Sequence, residues 1–220
     1  MLKARHILDV KKKQIETQVN DLATQVKCAI DQAITCLAGS DKALCKAVVE
    51  NDSLINEKRR LIEQDCVLAI ALHQPVAHDL REIVAATRIA EELERIADYA
   101  ADIAAIVKHI DQADLSEIGL ENILKMSSLA TRMLDEVTTA FLRRDSGQAK
   151  QAASLDDEVD AEQEKVIEQL FAIMQANPSL VPNASRMLWI SHNLDRCGDR
   201  ATNIAEQVVF MLEAKVVELD

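Results

Sequence analysis

Glycine, proline and aromatic side chains are scarce in this chain. Its 220 residues include four Gly, three Pro, three Phe, one Trp and one Tyr. Sheet proteins need turn residues between strands and aromatics on pleated faces, so this poverty argues against a sandwich or barrel. Basic residues are also in the minority, with 25 Lys and Arg against 37 Asp and Glu and a formal charge of −12. Nucleic-acid binding draws on clustered cations and stacking aromatics, whereas here most basic residues are scattered among more numerous acids and aromatics are few, so a nucleic-acid partner is not expected. No long apolar run exists. The clearest, Cys66 to Leu72, is far too short to span a bilayer, so membrane insertion is not expected. The basic start, Met1 to Gln14, lacks the apolar stretch of a secretion signal. There is no C-x-x-C, and the cysteines are odd in number: Cys28, Cys36, Cys45, Cys66 and Cys197. They read as reduced, small apolar residues of a soluble cytoplasmic protein. A Gly-rich phosphate loop, a dinucleotide fingerprint and a Ser-His-Asp set are likewise missing. Without a Glu-x-x-His pair, the di-iron oxidase type of helical bundle is disfavoured.

What remains is helix-forming. Apolar residues make up 49% of the chain, and its few breaks fall regularly. Gly39-Ser40-Asp41, His73-Gln74-Pro75, the polar stretch 111–119, Asp145-Ser146-Gly147 and Asn177-Pro178-Ser179 divide it into six segments. Ser40 or Asp41 can cap the second segment, and Pro182 suits a first helical turn. Segments of roughly 30 residues would be about 45 Å long as helices. In the third, Ile89, Ile96, Ile103 and Ile110 recur every seven residues, with Ile83, Ala86, Ala90, Leu93, Ala97, Ala100, Ala104 and Val107 between them. That is the seam of a helix packed along its length, and short breaks make its neighbours antiparallel.

The second half repeats the first. A shift of 101 lays Ile89 to Ala104 on Ile190 to Ala205, with seven of sixteen positions identical. Upstream, a shift of 105 puts Asn51-Asp52 on Asp156-Asp157, Glu57 on Glu162 and Ile62-Glu63 on Ile167-Glu168. The sequence therefore predicts an all-α protein of two tandem three-helix bundles, residues 1–112 and 113–220, built from six long helices.

Each third helix carries an acidic stripe. Glu94, Asp98 and Asp102 stand at i, i+4 and i+8, and Asp195, Asp199 and Asn203 match them. Four residues turn a helix through about 400°, so each triplet shares one face. Like charges at i, i+4 cost roughly 0.2–0.5 kcal/mol a pair, and the chain carries the arrangement twice. Oxygen ligands suit hard cations such as Mg²⁺, Ca²⁺, Mn²⁺ or iron. Without Cys or paired His in the stripe, a structural zinc site is disfavoured. Counting equal rise back from the Pro75 and Pro178 turns reaches Asp52 and Asp157 on the preceding helices, which adds both as further ligand candidates.

The competing reading is a solvated face with local ion pairs. Arg88–Glu92, Glu91–Arg95, Arg95–Asp98 and Arg196–Asp199 have the spacing for it, while Glu94, Asp102 and Asp195 have no basic residue at i±3 or i±4. His78-Asp79 is a pair that some metal phosphohydrolases use, but it follows Pro75, where an acid favours the helix dipole. His6, His73, His109 and His192 are isolated, and Trp189 and Phe210 read as core anchors.

The runs Gln74-Pro75-Val76-Ala77-His78-Asp79-Leu80-Arg81, Leu93-Glu94-Arg95-Ile96-Ala97-Asp98 and Leu194-Asp195-Arg196-Cys197-Gly198-Asp199-Arg200-Ala201-Thr202-Asn203-Ile204-Ala205-Glu206 closely resemble the PhoU family. The likeness covers essentially the whole chain. Ala97, Tyr99 and Asp102 depart from the family's usual Gly, His and Asn. The resemblance implies two three-helix bundles and an E/D-x-x-x-D metal motif on Glu94, Asp98, Asp102, Asp195, Asp199 and Asn203. The ion implied is Mg, Mn, Fe or Zn. It further implies a non-enzymatic negative regulator of phosphate uptake and the phosphate-starvation regulon. Such a regulator would be a cytoplasmic homodimer that links the ATPase subunit of the phosphate ABC transporter to a sensor histidine kinase. A metal-dependent phosphohydrolase using the acidic clusters and His78, and a metal-free helical scaffold, stay open beside it.

Overall fold

The computed structural model describes residues 2–39, 41–111, 115 and 118–219, with side chains from residue 5 onward. Among them there is no strand. The helices are α1 (Leu2–Gly39), α2 (Lys42–His73), α3 (Ala77–Val107), α4 (Leu120–Arg143), α5 (Ser146–Ala153), α6 (Asp156–Ala176) and α7 (Val181–Glu213), with a 3-10 turn at Pro178–Leu180.

Chemistry at the breaks explains where helices stop. The Asp41 carboxylate accepts from the Ala43 and Leu44 amides, both at 3.0 Å, and caps α2. A cap of this kind contributes about 1 kcal/mol. Ser40, the other cap considered, lies outside the described residues, as does the expected boundary between 112 and 113. Gln74 (φ 46°) and Arg144 (φ 56°) end α2 and α4 in the left-handed region. Asp145 then accepts from the Gln148 amide at 2.9 Å and starts α5. Pro182 falls in the first turn of α7.

Among the described residues there are six long rods, and the fifth is interrupted. α5 and α6 both pack against α4 and α7. Between them the Leu155 amide donates to the Ala152 carbonyl at 3.2 Å, and the ladder restarts with Glu158 and Val159 donating to the Leu155 carbonyl. No Gly or Pro marks this interruption. Asp156, Asp157 and Glu158 fill the new first turn, where acids favour a fresh helix N-terminus.

α1, α2 and α3 form one bundle; α4, the α5–α6 rod and α7 form the other. The bundles meet along α3 and α7, which run antiparallel. Arg88 donates to Gln207 at 3.2 Å, Asn203 donates to Glu92 at 3.2 Å, and the Asp111 amide donates to Asn183 at 3.3 Å. Every predicted α3 seam residue, from Ile83 to Ile110, is buried, and one continuous core runs through both bundles.

Three expectations are corrected. Trp189 is no core anchor: it is 63% exposed on the outer face of α7, its ring edge-on to His192. Phe210 is partly buried beneath the Arg88 guanidinium. Cys36 and Cys45, expected as separate thiols, are brought side by side by the α1–α2 turn, with their Cα atoms 5.6 Å apart. That separation suits a disulfide, and the turn rather than any short motif creates it. Arg88 and Glu92 do not pair with each other. Both reach across to α7, where Glu92 meets Arg200 at 3.4 Å and Asn203.

Candidate functional site

The register of the duplication fixes which residues correspond. Buried Ile55, Ile62 and Cys66 on α2 match buried Val159, Val166 and Leu170 on the fifth rod. Each pair is 104 apart, as Val159 less Ile55 shows. The 105 shift suggested by residue identities is therefore one too long. Asp156, not Asp157, occupies the place of Asp52, and Asp157 is exposed. At the correct register Asn56 corresponds to Asp160, and Arg59 to Gln163.

Two sets of carboxylates follow, one per bundle. In the first, Asp52 of α2 feels the charges of Glu94 and Asp102 on α3, and Asp98 feels Glu94, Asp52 and Asp102. In the second, Asp156 feels Asp199, Asp160 and Asp195, and Asp195 feels Asp199 and Asp160. The fold thus draws Glu94, Asp98 and Asp102 together with Asp52, and Asp195 and Asp199 with Asp156 and Asp160. Asn203, the sixth expected ligand, turns its amide to Glu92 of the other bundle.

Burial and mutual repulsion push these acids up. Burial is the largest cause throughout, and the neighbouring carboxylates named above add to it. Asp98 is raised to about 6, Asp156 to about 7 and Asp195 to about 6. Asp52 is also raised, and the hydrogen bond donated by Asn56 at 3.0 Å only partly offsets this. Cations lie close by. Arg59 Nη2 is 3.7 Å from Glu94, which has no basic residue at i±3 or i±4, and Arg196 pairs with Asp199 at 2.8 Å as its spacing implies. Glu94 and Asp98 open onto a solvent-filled cleft of about 740 Å³ between the bundles, which Arg59, Arg95, Arg196 and Arg200 also line.

The donor chemistry fits a hard cation. Asp52 Oδ1, Asn56 Oδ1 and Asp156 Oδ1 are buried acceptors without a donor. A metal ion could satisfy oxygens left in that state, which are otherwise costly. As the side chains stand, no group of three His, Cys, Asp or Glu among the described residues is arranged to hold an ion. His78, the other feature with possible catalytic chemistry, takes no part. It lies 2.9 Å from Glu82 in a separate ion cluster, and Asp79 pairs with Lys12 at 2.5 Å.

Asp156, Asp160, Asn56, Arg59 and Gln163 escaped the sequence reading. The available signal was the periodicity of buried apolar residues, which sets the 104 register; matching acidic letters does not.

A tandem pair of three-helix bundles, each with a carboxylate set between its second and third rods, defines the class of protein. The PhoU domain model matches it twice, over residues 19–107 and 123–208, and the chain belongs to the PhoU family. It is 32% identical over 203 residues to the phosphate-specific transport system accessory protein PhoU of Escherichia coli K12, covering 91% of this chain and 83% of that protein. The PhoU homologue of Clostridium acetobutylicum is 26% identical over 217 residues, covering 98% and 99%. The crystal structure of the phosphate transport system regulatory protein PhoU from Streptococcus pneumoniae matches with a TM-score of 0.90 at 27% identity, covering 96% of this chain and 99% of that one. PhoU from Pseudomonas aeruginosa matches with a TM-score of 0.87 at 28% identity, covering 94% and 99%.

Proposed function

We propose that this protein is a non-enzymatic regulator of phosphate transport. It restrains uptake and the phosphate-starvation response when phosphate is plentiful, by joining the transporter's ATPase subunit to a sensor histidine kinase. One observation carries the reading: both bundles match the family model, and relatives aligned over most of their length are named as accessory proteins of phosphate-specific transport. No helix among the described residues is long and apolar enough to cross a membrane, which agrees with a cytoplasmic adaptor. Deleting the gene should leave the starvation genes on in high phosphate; unchanged expression would defeat the reading.

Divalent or trivalent cations belong to the same proposal. Asp52, Glu94, Asp98 and Asp102 would hold one, and Asp156, Asp160, Asp195 and Asp199 another. A bound ion supplies positive charge that relieves carboxylate repulsion and draws the second and third rods of a bundle together. The buried acceptors without donors support this part. Metal analysis and melting with and without chelator test it separately from the regulatory role.

A further inference from the structure

Four arginines converge on the cleft between the bundles: Arg59 of α2, Arg95 of α3, and Arg196 and Arg200 of α7. The acids that line it, Glu91, Glu92, Glu94 and Asp98, all belong to α3. The lining is therefore balanced in charge, within a chain that carries −12 overall. The carboxylates hold these guanidiniums in place without filling them. Arg59 gives one amino group to Glu63 at 2.6 Å, and its other stands 3.7 Å from Glu94, too far for a hydrogen bond. Arg200 meets Glu92 at 3.4 Å, a long contact. The Nε–H groups of Arg59 and Arg200 are buried without an acceptor. Arg95 enters no hydrogen bond or ion pair among the described residues and acts on Asp98 only through space. Arg196 pairs with Asp199 at 2.8 Å and bonds Tyr99.

We propose that this cleft binds phosphate groups, as the free ion or carried on a nucleotide-sized molecule. A guanidinium offers its N–H donors in a rigid planar fork that matches the oxygens of a phosphate, and such charge-assisted pairs are stronger than neutral ones. Arg95 brings an unclaimed charge. Arg59 and Arg200 bring forks that the α3 carboxylates position and leave partly empty. A phosphate seated among them takes hydrogen bonds from both bundles, α2 and α3 on one side and α7 on the other, and so ties the two together. The cleft, at about 740 Å³, is larger than a bare phosphate fills and lies within the roughly 300–1,000 Å³ of small-molecule sites. Tyr99, the single tyrosine of the chain, adds to the wall a ring on which a base can stack. No metal ion is needed.

The test uses the full-length protein, stripped of metal and dialysed free of chelator. Isothermal titration calorimetry is run against sodium phosphate and, separately, against ADP without Mg²⁺. Saturable binding should appear with at least one probe, and the tighter probe identifies the source: ADP if the rest of the nucleotide occupies the cleft, inorganic phosphate if it does not. Arg95→Gln and Arg200→Gln should each weaken that binding by about tenfold or more, the loss expected when charged hydrogen bonds go. Arg132→Gln, at an exposed arginine of α4 outside the cleft, should leave it unchanged. Arg95→Gln breaks no hydrogen bond or ion pair among the described residues, so it carries the test alone if Arg200→Gln fails to fold by circular dichroism. Absence of saturable binding of either probe up to about 10 mM would overturn the proposal. So would a folded Arg95→Gln or Arg200→Gln that binds as tightly as the wild type, or an equal loss in Arg132→Gln.

Discussion

Gly198 on α7 lets the Asp156 carboxylate come closer than any other residue type would permit: a Cβ there would stand 2.5 Å from Asp156 Oδ1. The first bundle has Ala97 at the corresponding position. Gly198→Ala sets two effects against each other. Alanine raises helix propensity by about 1 kcal/mol, while Asp156 must withdraw and give up its 3.2 Å hydrogen bond from Thr202, worth about 1 kcal/mol. Urea unfolding should therefore move little. Mn²⁺ affinity at the second set should fall severalfold, because Asp156 leaves its place. A large loss of stability with unchanged affinity would show that the glycine serves helix approach alone.

The raised acids predict an unusual pH profile for protein held in chelator. Asp98, Asp156 and Asp195 have folded values of about 6, about 7 and about 6 against ordinary values near 4. Between roughly pH 4 and 7 the folded state then holds more protons than the unfolded one, so stability falls as pH rises through that window. Below it the opposite limb takes over. Lys12 holds Asp79 low, Lys11 and Gln18 outweigh burial to lower Asp65, and Arg144 and Lys12 do the same for Glu82; that stability is lost as pH falls. Melting temperature should peak near the bottom of the window and decline towards pH 8. Each kcal/mol lost corresponds to about 2–4 °C in a chain of this size. Saturating Mn²⁺ should flatten the decline, and a profile that rises from pH 5 to pH 8 in chelator would contradict the crowding of these acids.

The seam of α3 was legible because period-seven burial leaves its own mark in sequence, and the breaks at Asp41, Gln74 and Asn177 were legible because capping has a local chemistry. The interruption at Ser154–Leu155 carried no Gly or Pro. The second-rod residues of the sites were harder to reach. Counting equal rise back from the Pro178 turn reaches Asp157, and a shift of 105 agrees with it, whereas burial of Ile55 with Val159 decides for 104 and so for Asp156. Arg59 beside Glu94 joins two rods at a separation that no i, i+4 rule addresses.

Glu82 joins the two bundles at one end. It lies 2.7 Å from Lys12 of α1 and 2.9 Å from His78, and it accepts from Arg144 at the end of α4, which also approaches Glu16 at 3.8 Å. The carboxylate is nearly buried while its partners reach solvent, so Glu82→Ala should cost about 1–3 kcal/mol in urea unfolding. Lys46→Ala, which breaks the exposed 3.4 Å pair with Glu50, should cost less than about 0.5 kcal/mol. Equal effects would mean that the cluster is no more than a surface pair.

Trp189 is the single tryptophan and stands in solvent, with its ring centroid 5.9 Å from that of His192. An exposed edge-on contact contributes little, so Trp189→Phe should change stability by less than about 1 kcal/mol. Leu194→Ala, in the core of the same helix, should cost about 2–5 kcal/mol. The same exposure makes the indole a reporter. In dilute native protein its emission should resemble that of solvated indole, and acrylamide should quench it readily. If emission shifts to the blue and quenching weakens as concentration rises, a second copy covers this face, and Trp189→Asp should then abolish the shift. Blue emission independent of concentration would show that the side chain is buried within its own chain, against the outward face of α7.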